Sequence, residues 1–316
     1  MKIPHIPVLK DEILSFFSKI NSGIVLDCTL GYGGHSEAIL NTCENIKLIA
    51  CDRDKEAIEF SSNRLEPFNS RVDIHKDTYS NIFNYIKKNE IKNIKGILAD
   101  IGVSSLQIDK SQRGFSLNSE VLDMRMDNDL QLSAYDVVNS YSLQQLSDIL
   151  YNYGELINAK KIAEAIVCQR EISKISSAKE LSNLVNKFKI KGRNIAPSIL
   201  VFQAIRIEVN NELEELEKLL NNIEKNNINE CFLAIITFHS LEDRIVKNKF
   251  KKWSKSCICP DFALKCECGN NHNFGYMLTK KPITASKNEL KENSRSSSAK
   301  LRVFYINRGK DGSNKN

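Results

Sequence analysis

Asp27-Cys28-Thr29-Leu30-Gly31-Tyr32-Gly33-Gly34-His35 follows the apolar run Ile24-Val25-Leu26 and leads into a segment with helical spacing. A short buried strand closing on an acid, a glycine-rich turn and a helix together open a βαβ unit. Glycines let the backbone take positive φ and come close to a ligand. The carboxyl edge of a parallel sheet is where α/β folds receive nucleotide-like molecules.

Outward from this turn the same alternation repeats. Ile46 to Cys51 reads as a second strand ending at Asp52, and Asp54 can cap a helix over Lys55 to Leu65. Val72-Asp73-Ile74 is a short third strand, and Ile94 to Ala99 a fourth that leads into Asp100. Strands alternating with helices imply a parallel sheet. From about Ser133 to Asn226 the pattern is helical only. Ala159, Ile162, Ala163, Ile166 and Val167 share one face of a predicted helix over Leu156 to Arg170. Ser177-Ala178-Lys179-Glu180 has the form of a capping box. Pro197 starts a long predicted helix that runs through Asn210 and Glu212 towards Ile223. Strand character resumes at Cys231 to Phe238, a helix follows from about Leu241, and Leu301 to Ile306 is a last strand. There is no internal repeat. The polar tail from Gly309 is expected to fray.

Composition narrows the class. The 316 residues, 41% hydrophobic and 27% charged, are ordinary for a globular chain of about two domains. No apolar run reaches the roughly 18 residues of a membrane span. Met1-Lys2-Ile3-Pro4-His5 lacks a signal-peptide pattern, so a cytoplasmic protein is expected. The formal net charge of +6 permits a polyanionic partner without requiring one. Between Arg244 and Arg308 lysines and arginines are dense, with Phe250, Trp253, Phe274 and Tyr276 interleaved. Cations bind phosphate and exposed rings stack on unpaired bases. The plainer alternative is a solvated basic face over a small core.

Three strand-end acids would share one edge: Asp27, Asp52 and Asp100. Asp52, about twenty residues beyond the glycine turn, is placed to hydrogen-bond both hydroxyls of a ribose. The dinucleotide fingerprint G-x-G-x-x-G would need glycine at position 36, where Ser36 stands. S-adenosyl-L-methionine is therefore favoured over NAD, with a plain tight turn as the bland alternative. Asp100 opens a second loop, Asp100-Ile101-Gly102-Val103-Ser104-Ser105-Leu106-Gln107, which would face the same crevice. Its carboxylate suits an amine of the ligand or the substrate, unless it only caps a turn.

These residues, with motifs further along, resemble the bacterial 16S ribosomal RNA cytosine-N4 methyltransferases of the MraW type. The likeness runs nearly end to end. It takes in His5-Ile6-Pro7-Val8-Leu9, the glycine loop, Asp52-Arg53-Asp54, the Asp100 loop and Arg113-Gly114-Phe115-Ser116. Then come Leu122-Asp123-Met124-Arg125-Met126-Asp127, Phe202 to Ile207 with Asn210, Phe238-His239-Ser240-Leu241-Glu242-Asp243-Arg244, Asn293-Ser294-Arg295 and Ser298 to Val303.

The resemblance implies a Rossmann-like class I methyltransferase domain over 1–110 and 213–316, with a helical insertion over 111–212 that recognises substrate. It implies S-adenosyl-L-methionine as cofactor, a cytosine in the decoding region of 16S RNA as target, the small ribosomal subunit as partner, and a homodimer. Cofactor positions carry over to Gly33, Gly34 and His35 at the methionine end, Asp52 at the ribose, Tyr79 near the adenine, and Asp100 and Gln107 in the fourth-strand loop. Catalytic candidates are Asp100, as acceptor for the cytosine amine or the cofactor amine, and His239, as proton acceptor or as a structural histidine. Ile101-Gly102-Val103 after Asp100 lacks the stacking tyrosine of Asp/Asn-Pro-Pro-Tyr sites; Phe115 is the substitute considered. Asn293, Arg295 and Arg125 are read as RNA contacts or loop braces, and Asp123 to Asp127 as an internal ion pair between two methionines. Leu106, Val121, Ser294 and Ser297 depart from the family pattern outside the cofactor loop. Two other readings stay open: methylation of another nucleic acid, and a non-catalytic assembly factor that keeps the fold.

Nine cysteines, an odd number, argue against a full disulfide framework. Cys257-Ile258-Cys259 and Cys266-Glu267-Cys268 can wrap one tetrahedral Zn²⁺, though C-x-C departs from the usual C-x₂-C. Reduced thiols on a surface loop are the alternative, and no metal ligand is assigned. Cys28, Cys43, Cys51, Cys168 and Cys231 read as small core residues.

Overall fold

The computed structural model describes residues 6–308 except 191–194, Asp261 and Leu264; the polar tail from Gly309 and the start of the His5 motif lie outside the described residues. The chain divides into two compact units, Met1–Gly102 with Glu215–Asn316, and Val103–Glu214.

In the first unit α1 (Lys10–Phe17) precedes β1 (Gly23–Asp27), α2 (Gly34–Thr42), β2 (Ile46–Asp52), α3 (Lys55–Leu65), β3 (Val72–Lys76) and β4 (Ile94–Asp100). The second unit holds the short α4 (Ser105–Asp109), then α5 (Ala134–Ser140), α6 (Leu143–Asn152), α7 (Ala159–Ile172), α8 (Ala178–Val185) and α9 (Pro197–Asn210). The first unit resumes within α10 (Glu212–Lys225), at Glu215, and continues with β5 (Cys231–Thr237), α11 (Ser240–Trp253), β6 (Gly275–Met277), α12 (Lys287–Glu292) and β7 (Lys300–Ile306).

The seven strands lie in the order β3-β2-β1-β4-β5-β7-β6. The first five are parallel; β7 runs antiparallel to both β5 and β6. The strands are apolar on both faces, as a covered parallel sheet requires. Ile24, Leu26, Ile49, Ile97, Leu233, Ile235 and Phe304 pack on one side with Leu216, Leu220 and Phe250. Val25, Leu48, Leu98, Ala234, Ile236 and Val303 pack on the other with Ile13, Phe17 and Ile39. Strand order reverses between β1 and β4, so their carboxyl ends flank the crevice where such sheets bind ligands.

The helical unit has its own core. Ser133, Ser142 and Ser177 each close a capping box, on α5, α6 and α8. Several quoted motifs meet inside this unit. Asn210 Oδ1 accepts the Met126 N–H at 2.8 Å and its Nδ2 donates to the Met124 carbonyl at 2.8 Å. Arg113 donates to the Arg125 and Met126 carbonyls at 3.2 and 2.9 Å. Arg125 forms a two-pronged pair with Asp123 at 2.9 and 2.7 Å and reaches the Leu130 carbonyl, while Met124 and Met126 are buried.

Some sequence expectations need correction. The helix expected to run from Pro197 to Ile223 is two helices, because Asn211 takes φ 51° between them. A left-handed residue cannot continue a right-handed helix, and asparagine tolerates that conformation. Cys168 is exposed on α7; Cys28, Cys43, Cys51 and Cys231 are buried. Phe250, Trp253 and Phe274 are core residues, with Trp253 stacked on Phe274 at 4.7 Å, and are not free to stack on bases. The aliphatic and ring atoms win burial, and cations of the same stretch are used in ion pairs: Lys249 with Glu224, and Arg302, itself buried, with Asp243.

Candidate active site

The glycine turn is pinned by hydrogen bonds from three strands. Asp27, fully buried at the end of β1, accepts the Thr29 N–H at 3.1 Å and the Ser36 hydroxyl at 2.5 Å. Burial raises its carboxyl above the usual range, against the opposing Ser36 bond. Ser36, which replaces the third glycine of a dinucleotide loop, thus holds the first turn of α2 to the strand end. Thr29 Oγ1 accepts the Asp100 N–H at 2.6 Å, tying the turn to β4. The Leu30 N–H reaches the Cys51 carbonyl at 3.0 Å, and the Gly31 N–H reaches Asp52 Oδ2 at 2.8 Å, tying it to β2.

Two glycines are required by shape. Gly33 has φ 72° and caps the start of α2. A Cβ on Gly34 would lie 2.5 Å from Pro7 Cγ, because the N-terminal segment crosses this point. That segment is latched to the C-terminal part of the chain: the Leu9 N–H donates to Glu289 at 2.7 Å, and Asn293 Nδ2 donates to the Ile6 carbonyl at 3.2 Å. Asn293 is therefore a brace.

Asp52 also accepts the Asp54 N–H at 2.9 Å, so each oxygen holds one backbone donor and keeps one lone pair for a ligand. Burial pushes its carboxyl up to about 6, against the lowering effect of those two N–H donors. The Arg53 guanidinium lies over the Tyr79 ring at 5.8 Å. Tyr79, buried at the start of a 3₁₀ turn after β3, is held by its neighbours. Thr78 and Ser80 both donate to Glu215, Ser80 at 2.5 Å. Asp77 accepts from Thr78 N, Asn81 and Tyr85 at 2.7, 2.9 and 2.8 Å. Glu215 and Asp77 were not singled out in the sequence; Glu215 is 137 and 135 positions from Thr78 and Ser80, and no local pattern links them.

His35, in the first turn of α2, places Nε2 3.6 Å from Asp100 Oδ2. His35 Nε2 and Asp100 Oδ1 are buried polar atoms with no hydrogen-bond partner among the described residues. Such atoms carry a desolvation cost unless a ligand meets them. Gly33, Gly34, His35, Asp52, Tyr79 and Asp100 are thus brought to one sheet edge. Gln107 belongs to the helical unit, where its Oε1 accepts the Ser104 N–H at 3.0 Å.

His239 follows β5 and caps α11. Its Nδ1 accepts the Glu242 N–H at 3.4 Å, and Nε2 lies 3.1 Å from Glu242 Oε1. Glu242, with no exposed surface, returns the capping bond by accepting the Phe238 and His239 N–H groups at 2.9 and 3.3 Å. Nδ1 is engaged in the cap, whereas Nε2 and Glu242 Oε1, though close, are buried atoms without a hydrogen-bond partner among the described residues.

A carboxylate at the second strand end, a glycine cradle at the first and two unmet polar atoms at the edge between β1 and β4 fit S-adenosylmethionine: hydroxyls for Asp52, a small-residue channel, and a charged amino-acid end for His35 and Asp100. With the strand order 3-2-1-4-5-7-6 and its single reversed strand β7, the fold and site define a Rossmann-like class I S-adenosylmethionine-dependent methyltransferase. The chain belongs to the MraW methylase family, whose profile matches residues 2–307. It is 60% identical over 306 residues to "Ribosomal RNA small subunit methyltransferase H" of Campylobacter concisus (strain 13826), covering 97% of this chain and 99% of that protein. A protein of the same name from Campylobacter curvus (strain 525.92) is 57% identical with the same coverage. Among solved structures, a putative rRNA methylase from Clostridium thermocellum is similar with a TM-score of 0.41 at 10% identity, covering 97% of this chain and 99% of that one. No helix among the described residues is long and apolar enough to cross a membrane.

Proposed function

We propose that this protein methylates the exocyclic N4 amine of a cytosine in the decoding region of small-subunit (16S) ribosomal RNA, in the cytoplasm. The observation that carries the reading is the buried, unmet Asp100 Oδ1 at the crevice edge, beside a glycine cradle and a ribose-type carboxylate. The names of relatives that match nearly the whole chain support ribosomal RNA as the substrate class.

When bound, S-adenosylmethionine supplies an electrophilic methyl group on a positively charged sulfur. Asp52 receives the ribose hydroxyls, and Gly33 and Gly34 leave room for the chain beside them. A cytosine amine is a poor nucleophile because its lone pair is conjugated with the ring. Asp100 accepts a hydrogen bond from that amine, turns its lone pair out of conjugation and stabilises the positive charge that develops on nitrogen. Methylation leaves one proton in excess on N4, and Asp100 is the acceptor within the site through which it departs to solvent. Orienting the two reactants can supply roughly 7–11 kcal/mol of the barrier. His239 positions the β5–α11 turn in this reading, and the helical unit at 103–214 carries substrate recognition.

The test uses labelled S-adenosylmethionine and small ribosomal subunits from a strain lacking the modification, followed by nuclease digestion and mass spectrometry. Label on a cytosine N4 in 16S RNA supports the proposal. Label on another base or on DNA, or cofactor binding without transfer, overturns it.

A further inference from the structure

Between α11 and β6 the chain runs from Ser254 to Phe274 with neither helix nor strand among the described residues. An irregular stretch this long in a compact domain needs something to hold it. Its base is closed: the Phe274 N–H donates to the Trp253 carbonyl at 2.7 Å, and the His272 N–H to the Ser256 carbonyl at 2.9 Å. Beyond that base the described residues form no apolar core, since Ile258 is 64% exposed and Phe262 87%. In place of a core stand Cys257, Cys259, Cys266 and Cys268, whose sulfurs all lie within 4.8 Å of one another.

The spacing of those sulfurs is informative. Cys257–Cys266 and Cys266–Cys268 are 3.6 Å apart and Cys257–Cys268 is 3.8 Å. A disulfide needs about 2.05 Å. A regular tetrahedron of thiolates around Zn²⁺, with bonds of about 2.3 Å, has edges of about 3.8 Å. The backbone supports the same arrangement with an internal pseudo-two-fold. The Ile258 N–H, from the middle of the first C-x-C, donates to Cys268 Sγ at 3.4 Å. The Glu267 N–H, from the middle of the second, donates to Cys259 Sγ at 3.3 Å. Each turn thus directs a donor at the last sulfur of the other, which suits sulfurs that keep negative charge while bound to a metal.

We propose that Cys257, Cys259, Cys266 and Cys268 bind one Zn²⁺ in a closed tetrahedral site that orders the loop between α11 and β6. Four soft thiolates in this geometry select zinc over the hard divalent ions. All four positions are filled by protein, so the ion holds structure and takes no part in methyl transfer.

The untagged full-length protein, purified without chelator, should contain one zinc per chain by elemental analysis. Cobalt substitution should give the visible bands of a tetrahedral four-thiolate site. Of the nine cysteines only the exposed Cys168 should react quickly with a thiol reagent while metal is bound, rising to five after chelation. The C266S/C268S variant should lose the metal and become cleavable by protease between 254 and 274, while still binding S-adenosylhomocysteine. Absence of stoichiometric metal after zinc addition, with five thiols reacting at once, overturns the proposal. So does iron in place of zinc, or a disulfide between these cysteines in protein kept reduced.

Discussion

His35 Nε2 faces Asp100 Oδ2 at 3.6 Å, close enough to share a ligand and too far to satisfy each other. Both residues keep a buried polar atom without a hydrogen-bond partner among the described residues. The pair is held open by scaffold bonds made elsewhere, Asp100 through its N–H to Thr29 and the α2 turn through Ser36 to Asp27.

Because the scaffold bond of Asp100 uses its backbone, Asp100→Ala should fold normally and lose at least about 100-fold in methyl transfer, the scale of deleting one preorganised electrostatic contact. Steady-state kinetics with small subunits tests this. A loss in kcat places the carboxylate at the cytosine amine, whereas a loss confined to KM for S-adenosylmethionine places it at the methyl donor. Undiminished activity removes Asp100 from the mechanism.

Burial holds Asp52 protonated up to about pH 6. In the proposed reading its ionised form accepts both ribose hydroxyls, so affinity for S-adenosylhomocysteine should rise up to about tenfold between about pH 5 and 7 and level off above. Titration calorimetry at several pH values reads this directly, and a flat profile would show that the Asp52 proton is not linked to binding. The sign for folding is opposite. A carboxyl raised in the folded state contributes stability below its unfolded value near 3.9, and that contribution is lost as pH rises through about 6. Asp27, also raised by burial, adds to the same trend. The ligand-free protein should therefore gain less from neutral pH than the ligand-bound protein does.

His239→Asn and His239→Ala separate a cap from a base. Asparagine can accept the Glu242 N–H as the histidine does, so His239→Asn should keep nearly full activity and melting temperature. His239→Ala should lose about 1 kcal/mol of stability through the missing cap. Thermal melts and turnover on the same preparations decide it; an inactive but stable His239→Asn would make the imidazole a proton acceptor in the reaction.

In the helical unit, Asn210→Leu should cost about 2–4 kcal/mol, because it strands the buried Met126 N–H and Met124 carbonyl together. Urea denaturation measures the loss. A change below about 0.5 kcal/mol would mean that these two groups find other partners.

The strand-end acids were legible because β1, β2 and β4 are apolar on both faces and each closes on a charge, a contrast that shows in a single sequence. The glycine turn was legible for the same reason. The break at Asn211 was not, since its flanks keep helical spacing and only the φ of one residue interrupts them. The aromatics near the basic run were ambiguous, because Phe250 and Trp253 at helical spacing read alike whether they meet a base or Phe304. Glu215 was invisible, since its hydrogen bonds to Thr78 and Ser80 join distant parts of the chain. His239 stood just after a strand with its role open, and only the Glu242 N–H at its Nδ1 shows that it caps a helix.

The latch between residues 6–9 and α12 sets an order of events during synthesis. Pro7 presses on Gly34, yet the bonds that hold its segment come from Glu289 and Asn293, some 280 positions further along. Strand β7, which sits inside the sheet between β5 and β6, is made later still. A nascent chain can therefore build the glycine turn early and brace it only once α12 has been translated.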